Sequence, residues 1–121
     1  MSNLLEIVNR YYTVVDAHQA EAMREFVTDD IVFTGPTQVT KGADAYIELN
    51  AQFLQFHRDT RMKAQFANGD SVCSIYEMDV RTPAGGQITL AMADHLKLID
   101  GRIAEQQIYY DPREFAQAFG M

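Results

Sequence analysis

The 121-residue sequence carries 17 acidic and 10 basic side chains, a formal charge of −7, with 47% hydrophobic and 22% charged residues. That balance belongs to a chain with a buried core rather than to a disordered one, and the length suits one domain, residues 1–121. An acidic chain without a basic cluster longer than a pair excludes nucleic acid as a natural partner, and no apolar run approaches the roughly 20 residues of a membrane helix.

The first predicted element is a helix from Asn3 to His18. Leu4, Ile7, Val8, Tyr11, Val14, Val15 and His18 share one face, with Glu6, Arg10, Thr13 and Asp16 opposite. Tyr11 is central to the apolar face, with Ile7, Val8, Val14 and Val15 three and four residues away; Tyr12 falls nearer the edge, beside Asn9 and Asp16. A short helix over about Ala20–Val27 turns Met23 and Phe26 inward. "TDDIVFTGPTQVTKG" then reads as a strand, a Gly-Pro break and a second short strand.

"GADAYIELNAQFLQFH" restores the helical period, placing Tyr46, Ile47, Asn50, Phe53, Leu54 and His57 on one side. Four β-rich runs follow: Met62–Ala67, Ser71–Arg81, Gln87–Ile99 and Arg102–Tyr110. "NGD", "PAGG" and "IDG" punctuate them as hairpin turns, so the expected product is an antiparallel meander. In the final segment Asp111 can cap, Pro112 suits a first helical position and Glu114 completes a box-like start, while Phe115 and Phe119 form an anchoring face. Helices first and a curved antiparallel sheet afterwards give an α+β plan.

The run Gln87–Ile99 holds an anomaly. With a period of two, Ile88, Leu90, Met92, Asp94, Leu96 and Leu98 face one way, and Thr89, Ala91, Ala93, His95 and Lys97 the other. Asp94 therefore interrupts an apolar face. Burial disfavours a carboxylate, so this acid is expected to hold its proton more tightly and to serve as a neutral donor. The alternative is a satisfied core polar group that accepts neighbouring hydrogen bonds.

The segments "IVNRYYTVVDAHQAEAMREFVTDDIVF", "KGADAYIEL" and "ADHLKLIDGRIAEQQIYYDPREF" resemble the nuclear transport factor 2-like superfamily, and within it the SnoaL-like and ketosteroid-isomerase-like groups. The resemblance implies a cone-like barrel of strongly curved sheet wrapped around N-terminal helices and a pocket. It lays the isomerase tyrosine on Tyr11 and the acid of the "Asp-His-apolar-basic" strand on Asp94, two groups that would stabilise the oxygen of a dienolate. The position of the proton-shuttling aspartate falls on Gly35, and that of the polyketide-cyclase aspartate near Ile108, so neither usual base is present.

Candidate catalytic residues are therefore Tyr11, Asp94 and His57, the last as a base titrating near neutrality. For Tyr11 the competing reading is a core phenol with its hydroxyl on a partner. For His57 it is a helix-end histidine favoured by the dipole, and the same applies to His18. The last strand puts Gln106, Ile108 and Tyr110 in one phase, which the resemblance turns inward. The expected apolar lining is Leu5, Val8, Tyr11, Val15, Phe26, Phe33, Tyr46, Phe53, Leu90, Met92, Ile108 and Tyr110, with Asn50 and Gln106 as polar contacts.

Three scattered histidines and a lone Cys73 offer no metal-binding spacing, so no metal or cofactor is expected. Glu77 and Asp79 read as solvated or interface charges. One cysteine and no signal-like start point to the cytoplasm. The mixed outward phase, with Ala91, Ala93, Ile99, Gln107 and Tyr109, predicts a homodimer. The expected function is a SnoaL-like enzyme moving a proton beside the carbonyl of a small apolar ligand, as an isomerase, cyclase or dehydratase would. The alternative is a non-catalytic binding or assembly module.

Overall fold

A computed structural model describes residues 4–121. Helix α1 runs Leu4–Asp16 and turns Val8, Tyr11, Tyr12 and Val15 inward; the expected start at Asn3 lies outside the described residues. It ends before His18, which takes a left-handed backbone with φ 58°. The His18 N–H bonds the Val15 carbonyl at 2.9 Å and the Gln19 N–H that of Val14 at 3.1 Å, closing the last turn. The next segment is a 3₁₀ helix, Glu21–Phe26, which buries Met23. Strands β1 (Val27–Thr34) and β2 (Val39–Lys41) follow, then helix α2 (Ala43–Phe53).

Helix α2 stops four residues before the expected end at His57. Phe56 and His57 are claimed instead by the sheet: the Phe56 carbonyl accepts from the Arg81 N–H at 2.7 Å, and His57 pairs with Val80. Strand pairing outranks a helical period that persists only in the pattern of side chains. Strands β3 (His57–Asn68), β4 (Ser71–Arg81), β5 (Gln87–Ile99) and β6 (Arg102–Tyr109) form the antiparallel meander, and the short helix α3 (Arg113–Phe119) closes the chain. The β5–β6 turn is two residues long, with Asp100 at φ 52° and Gly101 at φ 79°, the backbone that a tight hairpin requires. No described helix is long and apolar enough to cross a membrane.

The six strands make one sheet in the order β2-β1-β6-β5-β4-β3. The sheet is curved but not closed, and β1 runs parallel to β6, a pairing that local periodicity cannot reveal. On β4, inward positions Val72, Ser74, Tyr76, Met78 and Val80 are buried, and on β5 so are Leu90, Met92, Asp94, Leu96 and Leu98. Strand β6 breaks the alternation. Lys97 pairs with Glu105 and Leu98 with Ile103, so Ala104 is an inserted residue that shifts the phase. Ile103 and Gln106, three apart, both turn inward as a result, at 0% and 4% exposure.

The core forms where α1, the 3₁₀ helix and α2 meet this face, and Val8, Met23, Val72, Val80, Leu96 and Ile103 have no exposed surface. Leu96→Ala is expected to cost about 2–5 kcal/mol through lost burial and a residual cavity. Urea unfolding of the two proteins measures it; a smaller loss would mean that the sheet relaxes around position 96.

Candidate functional site

Strand alternation puts Asp94 on the inner face, directly across from Ser74 of β4 and Ile108 of β6. Its exposure is 1%. Carboxylate oxygen Oδ2 accepts from the Tyr12 hydroxyl at 2.8 Å and the Tyr76 hydroxyl at 3.1 Å. The Gln106 amide Nε2 donates to Oδ1 at 3.0 Å and lies 3.2 Å from Oδ2. Burial pushes the carboxyl up to about 6, against the pull of the Tyr12, Gln106 and Tyr76 hydrogen bonds. The expected rise in proton affinity is present; in place of a neutral donor, however, the carboxyl is an acceptor faced by three hydrogen-bond donors, with most of the crowding on Oδ2.

A second chain of contacts supports Gln106. Tyr46 donates its hydroxyl to Gln106 Oε1 at 2.7 Å, which fixes the orientation of the amide. Its only proton thus spent, Tyr46 accepts from the Tyr11 hydroxyl at 2.6 Å. Tyr11 receives a longer contact from Gln106 Nε2 at 3.4 Å. Burial first, and the nearby Asp94 charge second, raise the Tyr11 and Tyr12 hydroxyls above the ordinary phenol range. Tyr46 and Tyr76 are raised as well, by burial above all. Four phenols stay protonated here, each with its proton directed to a protein acceptor.

This polar cluster is the buried end of a cavity of about 360 Å³, lined there by Tyr11, Tyr12, Tyr76, Asp94 and Gln106. Val15, Phe33, Asn50, Phe53, Met92, Ile108 and Tyr110, all anticipated from the sequence, continue the wall. The outer end is framed by the exposed Pro36–Gln38 loop, Phe56, and Phe115 and Phe119 of α3. Phe115 and Phe119 stack at 4.3 Å, and Phe119 meets Phe56 edge-on at 5.0 Å. Gly35 lines the wall too, and an added Cβ there would come no closer than 3.9 Å to any atom. Asn50 spends its amide N–H on its own helix, donating to the Tyr46 carbonyl at 2.8 Å.

Several expected contacts lie elsewhere. Val8 and Leu90 are sealed in the core and do not reach the cavity wall, and Tyr46 meets it only through Tyr11 and Gln106. Phe26 packs edge-on against Tyr11 at 6.2 Å, outside the lining. Leu5 faces outward at 37% exposure. Tyr11 and Asp94 share the cavity without bonding each other; Tyr12 and Tyr76 are the direct phenol partners. Both were legible in principle. Tyr12 has Val8 and Val15 as its own one-turn neighbours, and Tyr76 shares the alternating phase of Val72 and Val80.

His57 is the largest correction. It opens β3 rather than ending a helix, it is 1% exposed, and it is absent from the cavity wall. Its Nδ1 meets His18 Nε2 at 2.9 Å and its Nε2 meets Thr60 Oγ1 at 2.8 Å. Burial lowers its proton affinity, partly opposed by Asp16. It is a satisfied core histidine that ties the end of α1 to the sheet. His95 points outward, as the strand phase required. On the outer face Arg61 grips Asp79 with two bonds of 2.6 and 2.9 Å, while Glu77 lies 3.5 Å from Arg61. Among the described residues no three His, Cys, Asp or Glu side chains form a metal-binding group.

A family model described as a SnoaL-like domain matches residues 8–106. No protein of curated function matches by sequence. Solved structures do match in shape. A nuclear transport factor 2-like protein of unknown function from Burkholderia pseudomallei K96243 aligns over 100% of both chains, with TM-score 0.87 and 16% identity. TerC, co-crystallised with polyporic acid, aligns over 99% of this chain and 100% of its own, with TM-score 0.85 and 16% identity. A hypothetical protein of ketosteroid isomerase-like fold from Catenulispora acidiphila DSM 44928, in complex with trimethylamine, aligns over 96% of this chain and 93% of its own, with TM-score 0.80 and 15% identity. The architecture is nuclear transport factor 2-like.

The Asp94 environment gives stability a signed pH dependence. Because the folded carboxyl binds its proton more tightly than the usual 3.8, its contribution is complete below about pH 4 and fades as pH rises through about 6. Over that window the stability of the natural protein relative to Asp94→Asn should fall on the order of 3 kcal/mol, at about 1.4 kcal/mol per tenfold change in proton affinity. Thermal unfolding of both proteins across pH reads this out; a pH-independent difference would contradict the raised affinity.

Proposed function

The chain belongs to the SnoaL-like domain family, and from that premise we propose that it is a small-molecule enzyme that moves a proton beside the carbonyl of an apolar ligand. The observation that carries the reading is a single buried carboxyl, raised to about 6, at the inner end of a mostly apolar cavity. Such a group is mostly ionised at neutral pH yet basic enough to take a proton, the compromise that general-base work needs. Asp94 Oδ1, which accepts only from Gln106, is the base. Tyr11 is the electrophile: its hydroxyl turns from Tyr46 toward the substrate oxygen, exchanging one hydrogen bond for another as charge develops there. Gln106 holds Asp94 and Tyr46 in register. The same carboxyl returns the proton to a different carbon in an isomerisation, or after ring closure in a cyclisation.

His57 has no part in this step, and Gly35 leaves vacant the wall position where the resemblance expects a proton-shuttling acid. Classical steroid isomerisation is disfavoured on that ground. A second reading, a binding module without turnover, draws support from the closed hydrogen-bond circuit, in which every phenol proton already has a protein acceptor. We place the protein in the cytoplasm, on the strength of its lone cysteine.

Deuterium exchange at the α-carbon of an apolar cyclic ketone, followed by NMR, tests the enzyme reading. The rate should rise with pH through about 6 as Asp94 ionises. Asp94→Asn should lower it by about 10²–10⁴-fold and Tyr11→Phe by about 10²–10³-fold, while His57→Gln leaves it within about twofold. Saturable binding of the ketone with no exchange above solvent would favour the module.

The proposed assembly is a homodimer through the outer sheet face. Ala64, Ile75, Ala93 and Tyr109 are cross-strand neighbours there, and Ile75 and Tyr109 are 36% and 52% exposed. Light scattering at micromolar concentration should give twice the chain mass, and Ile75→Lys should return the monomer; a monomeric natural protein would refute it.

A further inference from the structure

The cavity wall contains no lysine, arginine or histidine, although it holds a buried carboxylate. Every partner of Asp94 is neutral. They are Tyr12 from α1, Tyr76 from β4 and Gln106 from β6, and the groups behind them, Tyr11 from α1 and Tyr46 from α2, are neutral too. His95, its neighbour in sequence, lies on the other face of β5. Neutral donors soften the loss of water, but no positively charged side chain among the described wall residues offsets this one, and a buried ion without a charged partner is costly.

The groups around it are those that attract a cation. Tyr11, Tyr12 and Tyr76 form an edge-to-face series with ring centroids 5.2 and 5.6 Å apart. Phe33 and Phe53 add aromatic rings farther along the wall. Aromatic faces carry negative potential and favour an ammonium group, the more so where water is excluded. An anionic ligand would meet the opposite: a buried carboxylate and a protein of charge −7.

We propose that the cavity selects a ligand carrying a cationic nitrogen, an apolar amine or quaternary ammonium, whose charge pairs with Asp94 while its hydrocarbon part lies along the aromatic wall. Asp94 then acts as a counter-ion through Oδ1, which carries only the Gln106 contact while the phenols crowd Oδ2. The proposal rests on the reading that this cavity holds a small molecule, and is independent of whether that molecule is turned over. The raised proton affinity of the acid is in keeping with it: proton and organic cation compete for the same uncompensated charge.

The test compares benzyltrimethylammonium with its uncharged carbon isostere, neopentylbenzene, by ligand-observed NMR and mutual displacement. Salt is held at about 0.15 M so that the surface field is screened. At about pH 7.5 the ammonium should bind at least about tenfold more tightly than the isostere. At about pH 4.5, with Asp94 protonated, that preference should vanish, and Asp94→Asn should abolish it at both pH values. Should the variant fail to fold, the pH comparison on the natural protein decides alone. Equal affinities at the higher pH, or a preference for the isostere, would overturn the cation proposal and leave the small-molecule site standing. Binding of neither probe would overturn both.

Discussion

A carboxyl shut away from water must be met by donors or give up its charge, and the inner end of this molecule is organised around that requirement at Asp94. Two phenols and one amide point at it. Each of these is held by something else: Tyr12 by the inner face of α1, Tyr76 by strand phase, Gln106 by the Tyr46 hydroxyl. Helix α1, helix α2 and three neighbouring strands therefore converge on a single acid. The donors are neutral, so they lower the cost of burial without abolishing it, and the carboxyl remains more basic than one at the surface.

The fold supplies the geometry at little local expense. Strong alternation on β4 and β5 puts polar and apolar residues on a common inner face, and the register sets Tyr76 one inward step from Ser74, which lies opposite Asp94. The two-residue turn at Asp100 and Gly101 fixes the register of the β5–β6 hairpin. Once the register is set, the position of the site follows from counting residues along the strands, and apolar residues fill the rest of the wall.

Much of this was legible in the chain itself. Periodicity found α1, the meander and the inward placement of Asp94, because a period of two leaves little freedom once one face is buried. The resemblance supplied the superfamily and the inward set Gln106, Ile108 and Tyr110. What failed depended on distant contacts. His57 fits a helical stripe on paper, yet Val80 of β4 pairs with it and the helix ends early. Tyr12 reads as a helix-edge residue beside Asn9 and Asp16, yet Val8 and Val15, one turn away, carry it inward. The carboxyl was expected to donate; no local pattern shows that three donors from other elements are aimed at it.

The inserted residue at Ala104 makes the inward face of β6 a matter of strand pairing more than of side-chain identity. Ile103 and Gln106 can both look inward only while two residues on β6 oppose a single step on β5. The placement of the amide is thus shielded from substitution at 104 itself, where the backbone sets the phase. It is exposed instead to loss of the bulge with the residue kept. Strict one-to-one pairing of β6 against β5 would turn the amide outward and strip the acid of one of its three donors, whereas a lost codon at 104 would leave Ile103 and the amide two residues apart and both inward.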